Sequence, residues 1–465
     1  MKRKKGAECC IQGNLFVTDV PVWYESDGKV SSVWLSICEE ERTQTTNLME
    51  RLTDYSNLHK AYQQVRRNGG SSGVDNQSID EFGVWFNNHY QTLQDELLSG
   101  TYVPQPVKGV QIPKPQGGYR QLGIPTVRDR VVQQAINQVL QPLYDPKFSP
   151  SSFGFRPRRG AHDALRRACE IVKSGKSTVV DIDLAKFFDE VNHNRLLWFL
   201  STRIGDKRML SLIRRILKTD ILRYGLCSQR IKGTPQGSPL SPLLSNIVLD
   251  ELDQELTRRN LDFIRYADDV QIFVGSQLSA ERVQESIIRF IEEKMLLKVN
   301  RDKSGIKTSY KVNFLGHSLL RGGKLGLSKS SEERLKMKFK TITRRNCGVS
   351  FEQILRELEI LLRGWIQYFK YASMKSKLEK LDGWLRRHLK CYRLKQCKRV
   401  IGIVRFLLSL GVEKTLSWRT ALSGKGWWRL SNSPALNIGM NSVWFAKQGY
   451  YSLSDGYKQL FRNPL

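Results

Sequence analysis

The chain is 465 residues long, 40% hydrophobic and 10% aromatic, room for about three domains at roughly 150 residues each and too apolar for a disordered chain. Its 75 Lys and Arg against 45 Asp and Glu leave a formal charge of +30, so the expected partner is a polyanion, nucleic acid first. No stretch reaches the roughly 18 uncharged apolar residues of a membrane span, no apolar run follows the basic Met1-Lys2-Arg3-Lys4-Lys5 as a leader would require, and the 8 cysteines form no C-x-x-C pair. These features predict a reduced, cytoplasmic protein without a membrane partner.

Residues 1–46 show no periodicity and receive no assignment. From Asn47, Leu48, Leu52, Tyr55, Leu58, Ala61, Tyr62 and Val65 recur at helical spacing until Asn68-Gly69-Gly70 stops the pattern. Val107 to Pro125 reads as a hairpin, Val110-Gln111-Ile112 and Gln121-Leu122-Gly123-Ile124 around a Pro/Gly turn. It carries Lys114 and Arg120, cations able to grip a triphosphate or simply solvated. A helix from Arg128 to about Leu140 and a loop at Ser152-Phe153-Gly154-Phe155-Arg156-Pro157 follow.

Thr178 to Leu184 reads as a strand whose period of two puts Asp181 and Asp183 on one face and apolar residues on the other. Acids on a strand of buried type cost free energy unless a cation compensates them, and a metal ion would do so. Lys186-Phe187-Phe188-Asp189 then leads into a helix through about Leu200. Gly233 to Pro242 is a loop ending in a helix start, with Ser241 as N-cap and Pro242 at the first helical position; Gly237 lets backbone approach a ligand closely. After a helix over Leu243–Leu256, Phe263 to Val274 reads as a tight hairpin with Asp268 and Asp269 at its tip. Two carboxylates on stiff strands suit a hard cation beside a phosphate; a solvated Asp-Asp turn is the plain alternative. Asp183 and Asp268 are 85 positions apart, room for helices that let strand and hairpin meet in one sheet.

Beyond Ser328 the composition turns more basic. Residues 329–399 hold 20 Lys and Arg against 7 Asp and Glu. Ser350 with Gln353 suggests a capping box, and Phe351, Ile354, Leu355, Leu358, Leu361, Leu362, Trp365 and Phe369 trace one helical face. Arg356, Arg363 and Lys370 trace a basic stripe, and a helix over about Lys375–Leu394 adds Arg386, Arg387, Lys390 and Arg393. The excess of cations points to RNA phosphates; a solvated face is the alternative. From Val400 onward Trp418, Trp427, Trp428, Trp444 and Phe445 either stack on unpaired bases or build a small core.

These blocks resemble the reverse transcriptase and maturase encoded by bacterial group II introns, of the compact type lacking an endonuclease module. The resemblance runs from about residue 47 to the end. It rests on Arg120-Gln121-Leu122-Gly123-Ile124-Pro125, Ser152 to Pro157, Asp181 to Asp189, Thr234-Pro235-Gln236-Gly237, Tyr266-Ala267-Asp268-Asp269, Asn300 to Lys303, Phe314-Leu315-Gly316, and Arg363-Gly364-Trp365 with Tyr368-Phe369. It implies an α+β right-hand polymerase with fingers, palm and thumb, followed by a small helical C-terminal domain. The implied segments are 47–328 for fingers and palm, 329–399 for the thumb or maturase domain X, and 400–465 for a DNA-binding domain.

By the same resemblance Asp183, Asp268 and Asp269 are the catalytic metal ligands, with Asp181 as runner-up, holding two Mg²⁺ ions for which Mn²⁺ is a substitute. Lys114 and Arg120 touch the incoming triphosphate, Phe187 stacks under the sugar, Gln236 and Gly237 line nucleotide and template, and Lys303 is a supporting cation. The implied activity is RNA-directed DNA synthesis coupled to splicing and retrohoming. Its partners are group II intron RNA, an RNA template with DNA primer, target DNA and deoxynucleoside triphosphates. An RNA-binding splicing cofactor without polymerase activity, or a host-adopted repair reverse transcriptase, are the alternatives. Ser238, where the family commonly has Gly, and His317, where it commonly has an aromatic, depart from the pattern.

Overall fold

A computed structural model describes residues 45–113, 117–223, 225–346 and 348–462. Lys114 and residues 1–44 lie outside the described residues. The chain forms two compact units: the described residues up to Ala164 with Thr178–Ile306, and Leu165–Ser177 with Lys307–Leu465.

The first unit begins with α1 (Leu48–Thr53) and α2 (Tyr55–Asn68). The sequence pattern reads as one helix there, but Asp54 takes ψ 133° and its carboxylate caps α2 through the Ser56 N–H, splitting the segment in two. Residues 79–99, to which the pattern analysis assigns no element, form α3 (Ile79–Ser99), opened by a reciprocal capping box between Ser78 and Glu81. Leu52, Leu58, Phe82 and Phe86 pack in one core with Val131 and Ile136 of a later helix.

β1 (Val107–Pro113) and β2 (Tyr119–Ile124) form the expected antiparallel pair. α4 (Val127–Tyr144) follows, capped by Thr126, then α5 (Ala161–Lys173) and β3 (Thr178–Asp183). The single helix expected after β3 is two, α6 (Phe187–Glu190) and α7 (His193–Ser201), with Asn192 capping the second. Next come α8 (Lys207–Leu217) and the short strands β4 (Ile221–Arg223) and β5 (Leu226–Ser228), which extend the first hairpin into a sheet of order β2-β1-β4-β5. α9 (Ser241–Arg258) starts with Ser241 as its first helical residue, not its cap: Leu240 precedes it in helical conformation, and the Ser241 hydroxyl donates to the Pro235 carbonyl (2.8 Å). The β6 (Asp262–Tyr266) and β7 (Asp269–Val274) hairpin joins β3 in a second sheet of order β6-β7-β3-β8, and α10 (Gln277–Arg289) leads toward β8 (Gly305–Thr308), where the chain passes into the second unit.

The second unit opens with β9 (Asn313–Phe314), β10 (His317–Leu320) and β11 (Lys324–Leu327), then α11 (Lys329–Ile342), α12 (Phe351–Phe369) and α13 (Lys375–Gln396). The expected domain boundary at 328 falls inside this unit because Ser373 donates to the Leu325 carbonyl (2.7 Å), tying the small sheet to the helices after it. Ser350 caps α12 through the Gln353 N–H, but the Gln353 amide turns to Glu357, so only half of a capping box exists. The buried face of α12 is Phe351, Ile354, Leu355, Leu358, Leu362, Ile366 and Phe369.

Six short helices close the chain: α14 (Val400–Ser409), α15 (Lys414–Ala421), α16 (Trp427–Leu430), α17 (Pro434–Gly439), α18 (Ser442–Lys447) and α19 (Leu453–Arg462). No break follows residue 399, because the buried carboxylate of Asp382 on α13 accepts from the Leu453 and Ser454 amides and the Tyr450 and Ser452 hydroxyls. His317 is fully buried, 4.8 Å from Phe369 and 5.7 Å from Tyr368 between ring centroids, so it fills the aromatic position as a ring. Among the described residues no helix is long and apolar enough to cross a membrane.

Candidate active site

In the β3–β7 pairing Asp183 stands directly opposite Asp269, and Asp181 opposite Gln271. Cross-strand partners project to the same face, so Asp181, Asp183 and Asp269 share one side of the sheet while Val180 and Ile182 are buried on the other. Tyr266 pairs with Asp269, which leaves Ala267 and Asp268 as a two-residue turn. Ala267 holds φ +58°, a conformation costly for a residue with a Cβ, and it persists because its surroundings fix it.

That fixing comes from a residue the sequence reading passed over. Arg265 is fully buried in β6, where its guanidinium makes hydrogen bonds of 2.6–3.0 Å to the equally buried Asp253 of α9. It also donates to Asn246 Oδ1 (2.8 Å) and to the Ala267 carbonyl (3.1 Å), so its charge grips the turn itself. The Ser152–Pro157 block wraps the same hairpin. Phe153 donates to the Arg265 carbonyl, Arg265 to that of Ser151, and the Asn246 amide to that of Gly154. A Cβ at Gly154 would lie 2.2 Å from the Ala267 nitrogen, which explains a glycine there.

Electrostatics mark the acids as an uncompensated cluster. Burial, and after it repulsion from Asp268, Asp183 and Asp181, pushes the Asp269 carboxyl up to about 6. Asp268 is raised as well, by burial first and by Asp183, while Arg120 and Lys303 pull it down. Lys303 Nζ lies 3.9 Å from Asp183 Oδ2, and the Asn300 amide donates to the same oxygen (2.9 Å). Ser304 Oγ accepts from the Asp183 N–H (2.9 Å). Asn300 thus orients the Asp183 carboxylate and Ser304 pins its backbone, from the block the sequence reading marked only for Lys303.

Among the described residues no three of His, Cys, Asp and Glu are grouped so as to hold a metal ion by themselves. The donor set still fits a hard cation: it is all carboxylate oxygen, mutually repelling, and Mg²⁺ is ordinarily held by one or two carboxylates with substrate phosphates supplying further ligands.

The other expected site residues divide. Gln236 and the exposed Gly237 sit on a loop fastened to β2 by the Gly123 N–H donating to the Gln236 carbonyl (2.9 Å); Gly237 has φ +112°. Phe187 does not face the site: its ring is 2% exposed in the core, edge-on to Phe188, which is only half-buried. The family-type departure at Ser238 is also filled, since its buried hydroxyl donates to Gln133 Oε1.

In the second unit Arg356 and Arg363 are exposed, with Arg363 paired to Glu359 (2.8 Å) and placed over the Tyr451 ring. Lys370 and Arg386 are half-exposed. Arg387 packs over Trp428, 4.0 Å from the ring centroid, and donates to the Trp428 carbonyl. Lys390 is buried and its ammonium donates a hydrogen bond to Asn437 Oδ1 (2.8 Å), so it is a structural cation and not a surface contact.

A sheet carrying these acids beside a hairpin turn, with Lys303 3.9 Å from Asp183, fits a nucleotidyl transferase of the polymerase type. Comparison with known proteins agrees. Residues 112–319 match the reverse transcriptase (RNA-dependent DNA polymerase) family, and residues 332–405 the group II intron maturase-specific domain. Protein YkfC of Escherichia coli (strain K12) is 35% identical over 273 residues, covering 50% of this chain and 71% of that protein. The putative COX1/OXI3 intron 2 protein of Saccharomyces cerevisiae is 28% identical over 60% of this chain, and the group II intron-encoded protein LtrA of Lactococcus lactis subsp. cremoris 36% identical over 44%. The matches span 39% and 34% of those two longer proteins. The chain belongs to the group II intron reverse transcriptase and maturase family. Members of that family bind intron RNA and use divalent metal ions.

Proposed function

We propose that this chain copies RNA into DNA at the Asp183, Asp268 and Asp269 site with two Mg²⁺ ions, and binds its group II intron RNA through the second unit to assist splicing and retrohoming into target DNA. The observation that carries the reading is the register: Asp183 opposite Asp269, with Asp268 at the adjoining turn. Asp183, Asp268 and Asp269 would hold the metal ions, which would supply Lewis-acid chemistry for the primer 3′-hydroxyl and the leaving pyrophosphate. The protein's own part is placement and charge. Asn300 holds the Asp183 carboxylate, Ser304 holds the Asp183 backbone, and Arg265 holds the turn. Arg120 and Lys303, whose fields already reach Asp268, receive the triphosphate of the incoming deoxynucleotide.

Phe188, rather than the buried Phe187, is the ring available to the sugar. Gly237 and Gln236 offer backbone to nucleotide and template. On the second unit Arg356, Arg363, Lys370 and Arg386 contact RNA phosphates. Primer extension with purified protein on an RNA template bearing a DNA primer tests the reading: Mg²⁺-dependent cDNA is expected, with Mn²⁺ substituting, and no extension at any divalent ion concentration refutes it.

A further inference from the structure

The second unit contains a cavity of about 690 Å³ among the end of α11, the loop after it, α13 and α16. That volume lies within the roughly 300–1,000 Å³ of small-ligand sites. Lys340, Arg344, Arg345 and Lys395 supply its charge, and among the described residues no acidic side chain lines it. Lys340 and Arg345 are exposed, and the Lys395 ammonium reaches across the mouth to Asn346 Oδ1.

The remaining wall is aromatic. His388 lies 4.8 Å from Trp428 and 4.2 Å from Trp384 between ring centroids, and Trp427 borders the same space. Trp428 is 41% exposed, with Arg387 laid over its ring. The local field is strong enough to act on the histidine: burial first, then Lys340, Arg345 and Arg387, hold His388 down at about 4. Lys340 and Arg345, exposed at a cavity with no acidic side chain among its described lining residues, offer positive charge to an anion.

An acidic peptide would meet that charge but leave the indoles without a matching surface. A nucleotide answers both at once, phosphate to cation and base to aromatic face. We propose that this cavity takes one unpaired nucleotide of a single-stranded nucleic acid, its phosphate at Lys340 and Arg345 and its base against Trp428. The proposal rests on the RNA-binding reading of the second unit and narrows it to a single-stranded contact.

The test uses the full chain with three fluorescent probes: a single-stranded RNA octamer, the DNA octamer of the same sequence, and a blunt RNA duplex. Affinity is measured against salt for the wild type, for the surface pair Lys340→Gln with Arg345→Gln, and for Trp428→Ala. Loss of the single neutralised phosphate is expected to flatten the single-strand salt slope by about 0.7. Loss of one stacked base is expected to weaken octamer binding roughly 5- to 150-fold. Duplex binding and primer extension are expected to stay unchanged, and whichever octamer binds more tightly identifies the strand.

The charge pair keeps the test valid if Trp428→Ala misfolds. Unchanged octamer affinity and slope in the charge pair would overturn the proposal, as would an equal loss of duplex binding. If the wild type still binds long structured RNA in either case, the cavity assignment fails while the RNA-binding reading stands.

Discussion

Arg265→Leu tests the brace behind the catalytic turn. Both Arg265 and Asp253 have 0% side-chain exposure, and the substitution removes three hydrogen bonds from a carboxylate that water cannot reach. Breaking one partner of such a pair costs about 3–5 kcal/mol. In a unit of this size 1 kcal/mol moves the midpoint by about 2–4 °C, so the expected loss is roughly 6–20 °C in Tm. The pH dependence follows from Asp253, whose carboxyl is raised by burial even with its partner present. Without Arg265 it rises further. A carboxyl whose folded pKa exceeds the unfolded value of about 3.9 destabilises the fold above that value and not below it, so the deficit of the variant shrinks as pH falls toward 4. Melting followed by circular dichroism between pH 4 and 8 reads both effects. The paired variant Arg265→Met with Asp253→Leu, which leaves no buried charge, is expected to recover much of the loss. A melting shift within about 2 °C at neutral pH refutes the brace.

Gly154→Ala drives a Cβ to 2.2 Å from the Ala267 nitrogen, so primer extension is expected to fall at least tenfold with secondary structure retained; near-normal extension would show that the turn yields. The two adjacent rings are separable: Phe187→Ala is expected to cost about 3–5 kcal/mol of stability as a core truncation, whereas Phe188→Ala melts normally and accepts ribonucleotides, and the reverse pattern in melting and incorporation assays returns the sugar contact to Phe187. Lys390→Met is expected to leave RNA affinity within about twofold, because the ammonium is buried. Burial, with Arg386, holds Lys390 down at about 8 against about 10.4 unfolded, so its protonation penalises the fold most below pH 8 and the penalty fades as pH rises toward 10; the variant lacks that rise, and a wild-type-like rise in its stability profile contradicts the assignment.

The palm was legible because its signals are local. Two acids alternating with Val180 and Ile182, and two more between β-formers, announce a strand and a hairpin from neighbouring residues alone. What joins them was legible only in part, since residues that brace a site look ordinary in sequence. Arg265 reads as a surface cation until α9 brings Asp253 beneath it, and Asn300 reads as part of a loop until it reaches Asp183 from 117 positions away. Lys390 failed as an RNA contact for the same reason: its helix is basic on several faces, and only the packing of α17 decides which face closes. Phe187 and Phe188 differ by one residue, and the phase of a four-residue helix, which no periodicity can establish, decides which ring is buried. The helix break at Asp54 likewise turns on a single backbone angle.

Nucleotidyl transfer is assigned to Asp183 and Asp269 on one sheet face with Asp268 at the adjoining turn. Single-turnover incorporation of one deoxynucleotide opposite an RNA template, with wild type and Asp268→Asn at saturating Mg²⁺, tests it most directly. Incorporation by the wild type is expected, with none above background by the variant and RNA affinity equal within about twofold. Incorporation by Asp268→Asn at a rate near that of the wild type would contradict the assignment.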